Sequence, residues 1–91
     1  MKKLLPSEEK LIGRTIYTDG KLIADETYHR IRWLTSQHLQ SIAGMNWRIL
    51  FQDPEDGRYW ELSYPQRHRY GDGPPHLRTI SPDEARKVFG V

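Results

Sequence analysis

The chain has 91 residues, no cysteine, and 14 basic against 12 acidic side chains, for a formal net charge of +2. This length predicts one domain over residues 1–91, and the lack of cysteine excludes a disulfide framework and a thiolate zinc site. A content of 36% hydrophobic and 11% aromatic residues is typical of a folded domain, and so mild a charge does not by itself indicate nucleic-acid binding.

The N-terminal segment has neither the apolar core of a secretory signal nor a membrane span. Two leucines begin an apolar run, but Pro6 and the charged residues that follow it end that run at once. A secretory signal needs about seven or more consecutive apolar residues, and a spanning helix needs about 20. We therefore expect a cytoplasmic protein that does not enter a membrane.

The first third of the chain contains a predicted helical turn and a predicted β-hairpin. Residues 7–12 follow a proline and precede a glycine, which is typical of one short turn of helix. Residues 14–17 have the β-branched and aromatic content of a strand, and residues 21–24 follow after Asp19-Gly20. Because Asp-Gly tolerates the positive φ angles of a tight turn, we expect these two runs to pair.

Residues 25–43 are predicted to form one long amphipathic helix. Asp25 suits the N-cap, and Gly44 suits the position just after the C-terminus. At about 100° per residue, one side of this helix collects Tyr28, Ile31, Leu34, Thr35, His38, Leu39 and Ile42. Trp33 lies on the opposite, polar side, and we expect the N-terminal leucines to cover it, because a large aromatic side chain normally finds intramolecular cover.

A second β-hairpin is predicted at the centre of the chain. Residues 46–52 and 58–64 alternate between apolar and polar side chains, which is the pattern of half-buried strands. Residues 53–57 between them contain the proline and glycine of a turn. We expect Trp47 and Trp60 to lie in the core.

The C-terminal third combines an irregular loop, a short strand and a small helix. Residues 66–75 are rich in glycine and proline, and residues 76–80 follow as a third strand. Ser81 suits the N-cap of a helix over residues 81–89, with Glu84 completing a capping box. Together the elements predict an α+β domain: a small antiparallel sheet of three to five strands packs against one long helix, and a short C-terminal helix follows.

No group of residues in the sequence has the spacing of a catalytic or metal site. His29 and His38 lie on opposite sides of the predicted helix, and we expect His38 to be a core histidine with one hydrogen bond. Asp53, Glu55 and Asp56 have the composition of a solvated turn. The chain also lacks a nucleophile motif and a phosphate-binding glycine loop. We therefore predict a binding protein rather than an enzyme, with no cofactor and no bound metal.

Residues 67–78 interleave cations with an aromatic side chain, a composition that also fits single-stranded nucleic acid. The residues concerned are Arg67, His68, Arg69, Tyr70, His76 and Arg78. Asp72 and the acids of the central turn oppose such binding, because affinity grows with the number of phosphates that are neutralised. A small RNA- or single-strand nucleic-acid-binding domain is therefore the second hypothesis.

Two motifs give the chain a resemblance to a known family. The chain contains DPEDGRYWELSYPQ at residues 53–66 and GDGPP at residues 71–75. Together with Asp25-Glu26 and RIRWL at residues 30–34, these motifs resemble the immunity protein 27 family of bacterial polymorphic toxin systems, over nearly the whole chain. Where that family carries three consecutive glycines, this chain has Asp72 in the middle position, which predicts a difference in specificity.

The resemblance implies a stoichiometric inhibitor of a cognate toxin domain, acting in the bacterial cytoplasm; the sequence leaves the oligomeric state open, and a monomer is the favoured expectation. Such toxins are commonly nucleases, delivered into neighbouring cells in contact-dependent growth inhibition. The candidate partner-binding residues are Asp53, Glu55, Asp56, Arg67, His68, Arg69, Tyr70, Asp72 and His76. The turn acids with Glu61 would form an acidic patch that mimics nucleic acid, whereas the loop arginines would contact an acidic surface of the toxin. The sequence leaves both modes open.

Overall fold

The computed structural model describes residues 1–45, 47–65 and 73–91. The domain has seven strands and two α-helices within these ranges, in the order β1 (Lys10–Ile12), β2 (Thr15–Thr18), β3 (Lys21–Ala24), α1 (Glu26–Trp33), β4 (Gln40–Met45), β5 (Arg48–Gln52), β6 (Tyr59–Ser63), β7 (His76–Ile80) and α2 (Pro82–Phe89). In the part of the chain that is described, no helix has the length and apolar character to cross a membrane.

Five of the strands form one antiparallel sheet in the order β1-β7-β6-β5-β4. This confirms the predicted α+β class, at the upper end of the predicted number of strands. Strands β2 and β3 form a separate hairpin, as predicted. Its turn residues Asp19 and Gly20 both have positive φ angles, of 50° and 76°, and the apolar side chains of both strands are exposed.

The prediction of one long helix over residues 25–43 is wrong beyond His38. Helix α1 begins at its N-cap Asp25, whose side chain accepts a hydrogen bond from the N–H of Tyr28, and continues into a π-helical turn over Leu34–His38. Leu39 is then extended, and the next six residues form β4. The apolar spacing of residues 39–43 fits a helix, but pairing with β5 satisfies the backbone hydrogen-bonding groups of this segment in a strand. The hydroxyl groups of Thr35 and Ser36 also donate hydrogen bonds to helix carbonyls, which favours an early end of the helix.

The sheet separates two apolar clusters. On one side, α1 and the π-turn pack against the sheet in a cluster made of Leu4, Leu11, Ile31, Leu34, Leu39, Phe51, Trp60, Leu62 and Leu77. On the other side, α2 covers part of the sheet through Ala85, which packs against Leu50 and Ile80. Helix α2 starts as predicted, since the Ser81 hydroxyl accepts a hydrogen bond from the N–H of Glu84 at 3.1 Å.

Two tryptophans follow the prediction and one does not. Trp60 is fully buried, and Trp33 is half-buried against the core cluster that contains Leu4 and Leu11, so it has the expected intramolecular cover. Trp47 is 51% exposed, so its assignment to the core is wrong. The reason is its position in the β4–β5 turn rather than within a strand.

Residues 10–12 form the edge strand β1 rather than part of a helical turn. Pairing of Leu11 with Leu77 buries both side chains, which a solvent-facing helical turn would not do. Gly13 follows β1 and donates its N–H to the carbonyl of Pro75 at 2.9 Å. A β-carbon at Gly13 would lie 2.9 Å from that oxygen, so this close approach of two backbones requires glycine.

Candidate functional site

The face of the sheet that carries α2 is only half covered. Directly paired residues of antiparallel strands share a face, so the strand registers place one group of side chains on the face that carries α2, beside that helix. We call this group the open face; it consists of Lys10, Ile12, Met45, Arg48, Glu61, Ser63, His76 and Arg78. It has members on all five strands of the sheet.

Two arginines are fixed on the open face by a buried carboxylate. Glu61 lies at the centre of the face with only 4% of its side chain exposed. Its Oε2 accepts a hydrogen bond from Nε of Arg48 at 2.8 Å, with a second, short contact from Nη2, and its Oε1 accepts from Nε of Arg78 at 3.1 Å. Arg78 also donates to Glu84 of α2 at 3.0 Å. About 40% of each arginine side chain remains exposed, while these hydrogen bonds hold its guanidinium group in place.

The open face is basic on balance. Arg48 and Arg78 are offset by Glu61 and Glu84, while Lys10 on β1 is exposed and adds a further positive charge. His76 lies between these cations. Its partial burial, and after that the charges of Lys10 and Arg14, lower the pKa of its imidazole below the usual 6.5, so that the ring is neutral at pH 7 and offers a hydrogen-bonding group rather than a charge.

The four acids of the predicted patch do not form one exposed surface. Glu61 lies on the open face and Asp53 is 1% exposed, so neither is part of an acidic surface. Glu55 and Asp56 are exposed but paired, the first with Lys3 at 2.7 Å and the second with Arg58 at 2.7 Å. Mimicry of nucleic acid by these four carboxylates therefore has no geometric basis in the fold.

The other predicted partner-binding residues divide into two groups. His76 lies on the open face, paired in register with Ser63 of β6. Arg67, His68, Arg69, Tyr70 and Asp72 lie outside the described residues, so their role stays a prediction. Along the sequence, these five residues lie after β6 and before β7.

Sequence reasoning missed Lys10, Met45 and Arg48 as members of a site. The signal that reveals them is the register of β1, β4 and β5 against their neighbours, together with the period-2 alternation that sends Arg48 and Leu50 to the face opposite Phe51. None of these residues belongs to a chemical motif, so only the assembled sheet brings them together.

A pocket of about 270 Å³ lies on the other side of the domain, between α1 and the loop that precedes β7. Its lining comprises Tyr28, Arg32, Thr35, Ser36, Tyr64 and Pro75. Among these described residues there is no carboxylate or imidazole that would exchange a proton with a substrate. Its polar groups are two phenols, one guanidinium and two hydroxyls.

Comparison with known proteins decides the family. Residues 17–81 match the sequence model of the immunity protein 27 family, from β2 to the N-cap of α2. The chain belongs to the immunity protein 27 family. No curated protein and no solved structure matches it.

The family assignment confirms the resemblance read from the motifs. An immunity 27 protein is an immunity protein, a class whose role is to bind a toxin. The matched region contains Arg48, Glu61, His76 and Arg78 of the open face, while Lys10 lies before it.

Proposed function

We propose that this immunity 27 protein binds a cognate bacterial toxin domain, a nuclease, and neutralises it non-catalytically by stoichiometric occlusion, with the open face as the interface. The observation that carries the proposal is the pair of partly exposed arginine side chains that Glu61 fixes on the open face. Arginine is enriched among the residues that dominate binding energy at protein interfaces, and its planar fork recognises carboxylates in two hydrogen bonds.

Preorganisation supports this surface as an interface. Ordering a free, rotamer-rich side chain costs about 0.5–1.5 kcal/mol on binding. Arg48 and Arg78 have already lost much of that freedom to Glu61, so contact with a partner costs less. Met45 on the face and Trp47 at its edge are both exposed and supply apolar area of the kind enriched in interfaces.

The charge of the open face indicates how the toxin is engaged. A nuclease cleft is basic because it binds phosphates, and a basic surface does not dock into it favourably. We therefore propose contact with an acidic surface of the toxin outside its phosphate-binding cleft, so that the bulk of the inhibitor blocks access. The proposed complex is one-to-one, with a monomeric inhibitor in the bacterial cytoplasm.

The test is a growth assay with matched variants. The toxin domain encoded beside this gene is induced in a sensitive bacterium with the wild-type protein or with Lys10→Glu/Met45→Asp, which places two acids on the open face. The control is Lys21→Glu/Leu22→Asp on the exposed β2–β3 hairpin, which makes the same kinds of change elsewhere. We expect wild type and control to rescue growth and the open-face variant to fail while folded. Rescue by the open-face variant, or loss of rescue by the control alone, contradicts the assigned interface.

The predicted loop contact is tested separately. Arg67→Glu/Arg69→Glu changes two candidate residues that precede β7 in the sequence. Weaker toxin binding in the folded double variant supports participation of the loop. Unchanged affinity for the toxin would mean that the loop is not part of the interface, which then consists of the open face only.

The basic character of the open face also favours the second hypothesis, binding of single-stranded nucleic acid. Fluorescence anisotropy with a labelled single-stranded RNA distinguishes the two functions. Tight, salt-dependent RNA binding together with failure to bind the toxin supports the nucleic-acid hypothesis. Toxin binding without RNA binding eliminates it.

A further inference from the structure

A second cluster of functional side chains lies away from the open face, where the π-helical turn meets the turn between β5 and β6. His38 is the last residue of the π-turn, Asp53 follows β5, and Glu55 comes two residues later. One potential ligand atom from each residue lies within 4.8 Å of the other two. Neither the family assignment nor the proposed function gives this cluster a role.

The state of His38 indicates that the cluster is more than two acids in a turn. Its side chain is only 8% exposed, yet its buried Nε2 has no hydrogen-bond partner among the described residues. Nε2 lies 3.2 Å from Oδ1 of Asp53, but the N–H direction lacks hydrogen-bonding geometry, and Oδ1 instead accepts the N–H of Glu55 at 2.8 Å. Buried polar atoms are normally satisfied, so this nitrogen requires an explanation.

The indole of Trp33 lies beside the imidazole ring of His38, whose Nε2 lies near the acids of the cluster. The ring centroids of Trp33 and His38 are 6.2 Å apart, and the two ring planes are 7° from parallel. A metal ion binds an imidazole nitrogen in the plane of the ring. The Nε2 edge of the imidazole lies 3.2 Å from Oδ1 of Asp53, beside the other members of the cluster.

The separation of Nε2 and Oδ1 fits a metal better than a hydrogen bond. A hydrogen bond requires the N–H to point close to its acceptor. When a zinc ion is bonded to both atoms at about 2.1 Å, each zinc–ligand bond makes an angle of about 40° with the line from Nε2 to Oδ1. Two ligands in ideal tetrahedral positions at that bond length lie about 3.4 Å apart. The observed 3.2 Å is close to this separation of two tetrahedral ligands.

We propose that His38, Asp53 and Glu55 bind a divalent transition-metal ion of the zinc class. A neutral imidazole and two carboxylates balance the charge of such an ion, and three protein ligands leave a fourth position for water. Bound metal would join the π-turn to the β5–β6 turn. This inference departs from the sequence-based expectation of no metal, and it does not depend on the identity of the toxin.

Lys3 is the competitor of the metal at this site. Its Nζ lies 2.7 Å from Oε1 of Glu55, and both side chains are more than half exposed. An exposed ion pair of this kind contributes only about 0–1 kcal/mol, so Glu55 is readily released from it. The half-exposed side also provides the path by which an ion reaches the buried Nε2.

Isothermal titration of the metal-free protein with zinc chloride tests the proposal. We expect saturable one-to-one binding that Glu55→Gln weakens by about tenfold or more. The matched control is Asp56→Asn, which removes a neighbouring exposed acid outside the cluster, and His29→Gln controls for an exposed histidine; both should bind as wild type does. Glu55 is exposed, so its variant is expected to fold, and circular dichroism checks this.

Lys3→Met provides the opposite change. Removing the competing ammonium should tighten zinc binding, and cobalt(II) absorption in the visible range reports whether the coordination is tetrahedral. Absence of saturable zinc binding to the wild type, or equal affinity of Glu55→Gln and Asp56→Asn, would overturn the proposal. Weaker binding by Lys3→Met would contradict the position given to Glu55.

Discussion

Replacing Glu8 by glutamine is expected to destabilise the domain, because Glu8 and Arg30 hold the N-terminal segment on helix α1. Nη1 and Nη2 of Arg30 each donate to one carboxylate oxygen of Glu8 at 2.7 Å. The same guanidinium donates to the carbonyls of Lys2 and Lys3. This arrangement places Leu4 in the core cluster that contains α1.

The magnitude follows from the pKa of Glu8. Hydrogen bonds from Arg30 lower that pKa from 4.5 to about 2. At about 1.4 kcal/mol for each pKa unit, the difference sets a ceiling of about 3 kcal/mol on the stabilisation from the ionised form. The Glu8 side chain is 22% exposed, so solvent screens part of this interaction, and we expect a loss of about 2 kcal/mol at pH 7.

The dependence on pH separates this cause from a loss of packing. The folded pKa lies below the unfolded value, so the stabilisation is fully present above pH 4.5 and is lost as the pH falls toward 2. Urea unfolding of wild type and Glu8→Gln across this range should show a gap that closes at low pH. Glu9→Gln, an exposed neighbour, is the control. A gap that does not close, or equal effects of the two variants, would refute the reasoning.

Three further outcomes are expected from the same structure. Leu77→Ala removes a fully buried side chain and should cost about 2–5 kcal/mol in urea unfolding; a loss below about 1 kcal/mol would place Leu77 outside the tight core. Ser81→Ala removes the N-cap acceptor of α2 and should cost about 1 kcal/mol, whereas unchanged stability would mean that the cap bond adds nothing. In an NMR titration the pKa of His76 should lie below 6.5, and it should rise in Lys10→Gln but stay below 6.5, because burial is the larger cause. The free energy of unfolding should accordingly fall as the pH drops below 6.5. A pKa of His76 above 6.5 would contradict this assignment.

Local turn and capping chemistry made several elements predictable from the sequence. Asp19-Gly20 indicates its hairpin because the turn needs positive φ angles, and Ser81 indicates the start of α2 because it satisfies a free N–H group. The strands at the centre follow from alternation, with Trp60 correctly placed in the core. These signals act over a few residues, so they do not depend on the tertiary fold.

Tertiary pairing decided the elements that sequence reasoning missed. Residues 40–43 continue the apolar pattern of a helix, but they pair with β5 as a strand instead. No feature of the neighbouring sequence indicates that this pairing is preferred over the helix. The open face likewise depends on the register that aligns Glu61 with Arg78 and Ser63 with Arg48. The contact of His38 with Asp53 joins residues from two separate turns, which spacing along the chain does not reveal.

The most direct test of the central claim is a titration of toxin activity with the purified protein. A fixed concentration of the cognate toxin domain, well above the dissociation constant, receives increasing amounts of wild-type inhibitor, and residual activity is measured at each step. Stoichiometric occlusion predicts a linear fall to zero at one inhibitor per toxin and no such fall with Lys10→Glu/Met45→Asp. Full toxin activity in excess folded wild-type protein would contradict the account.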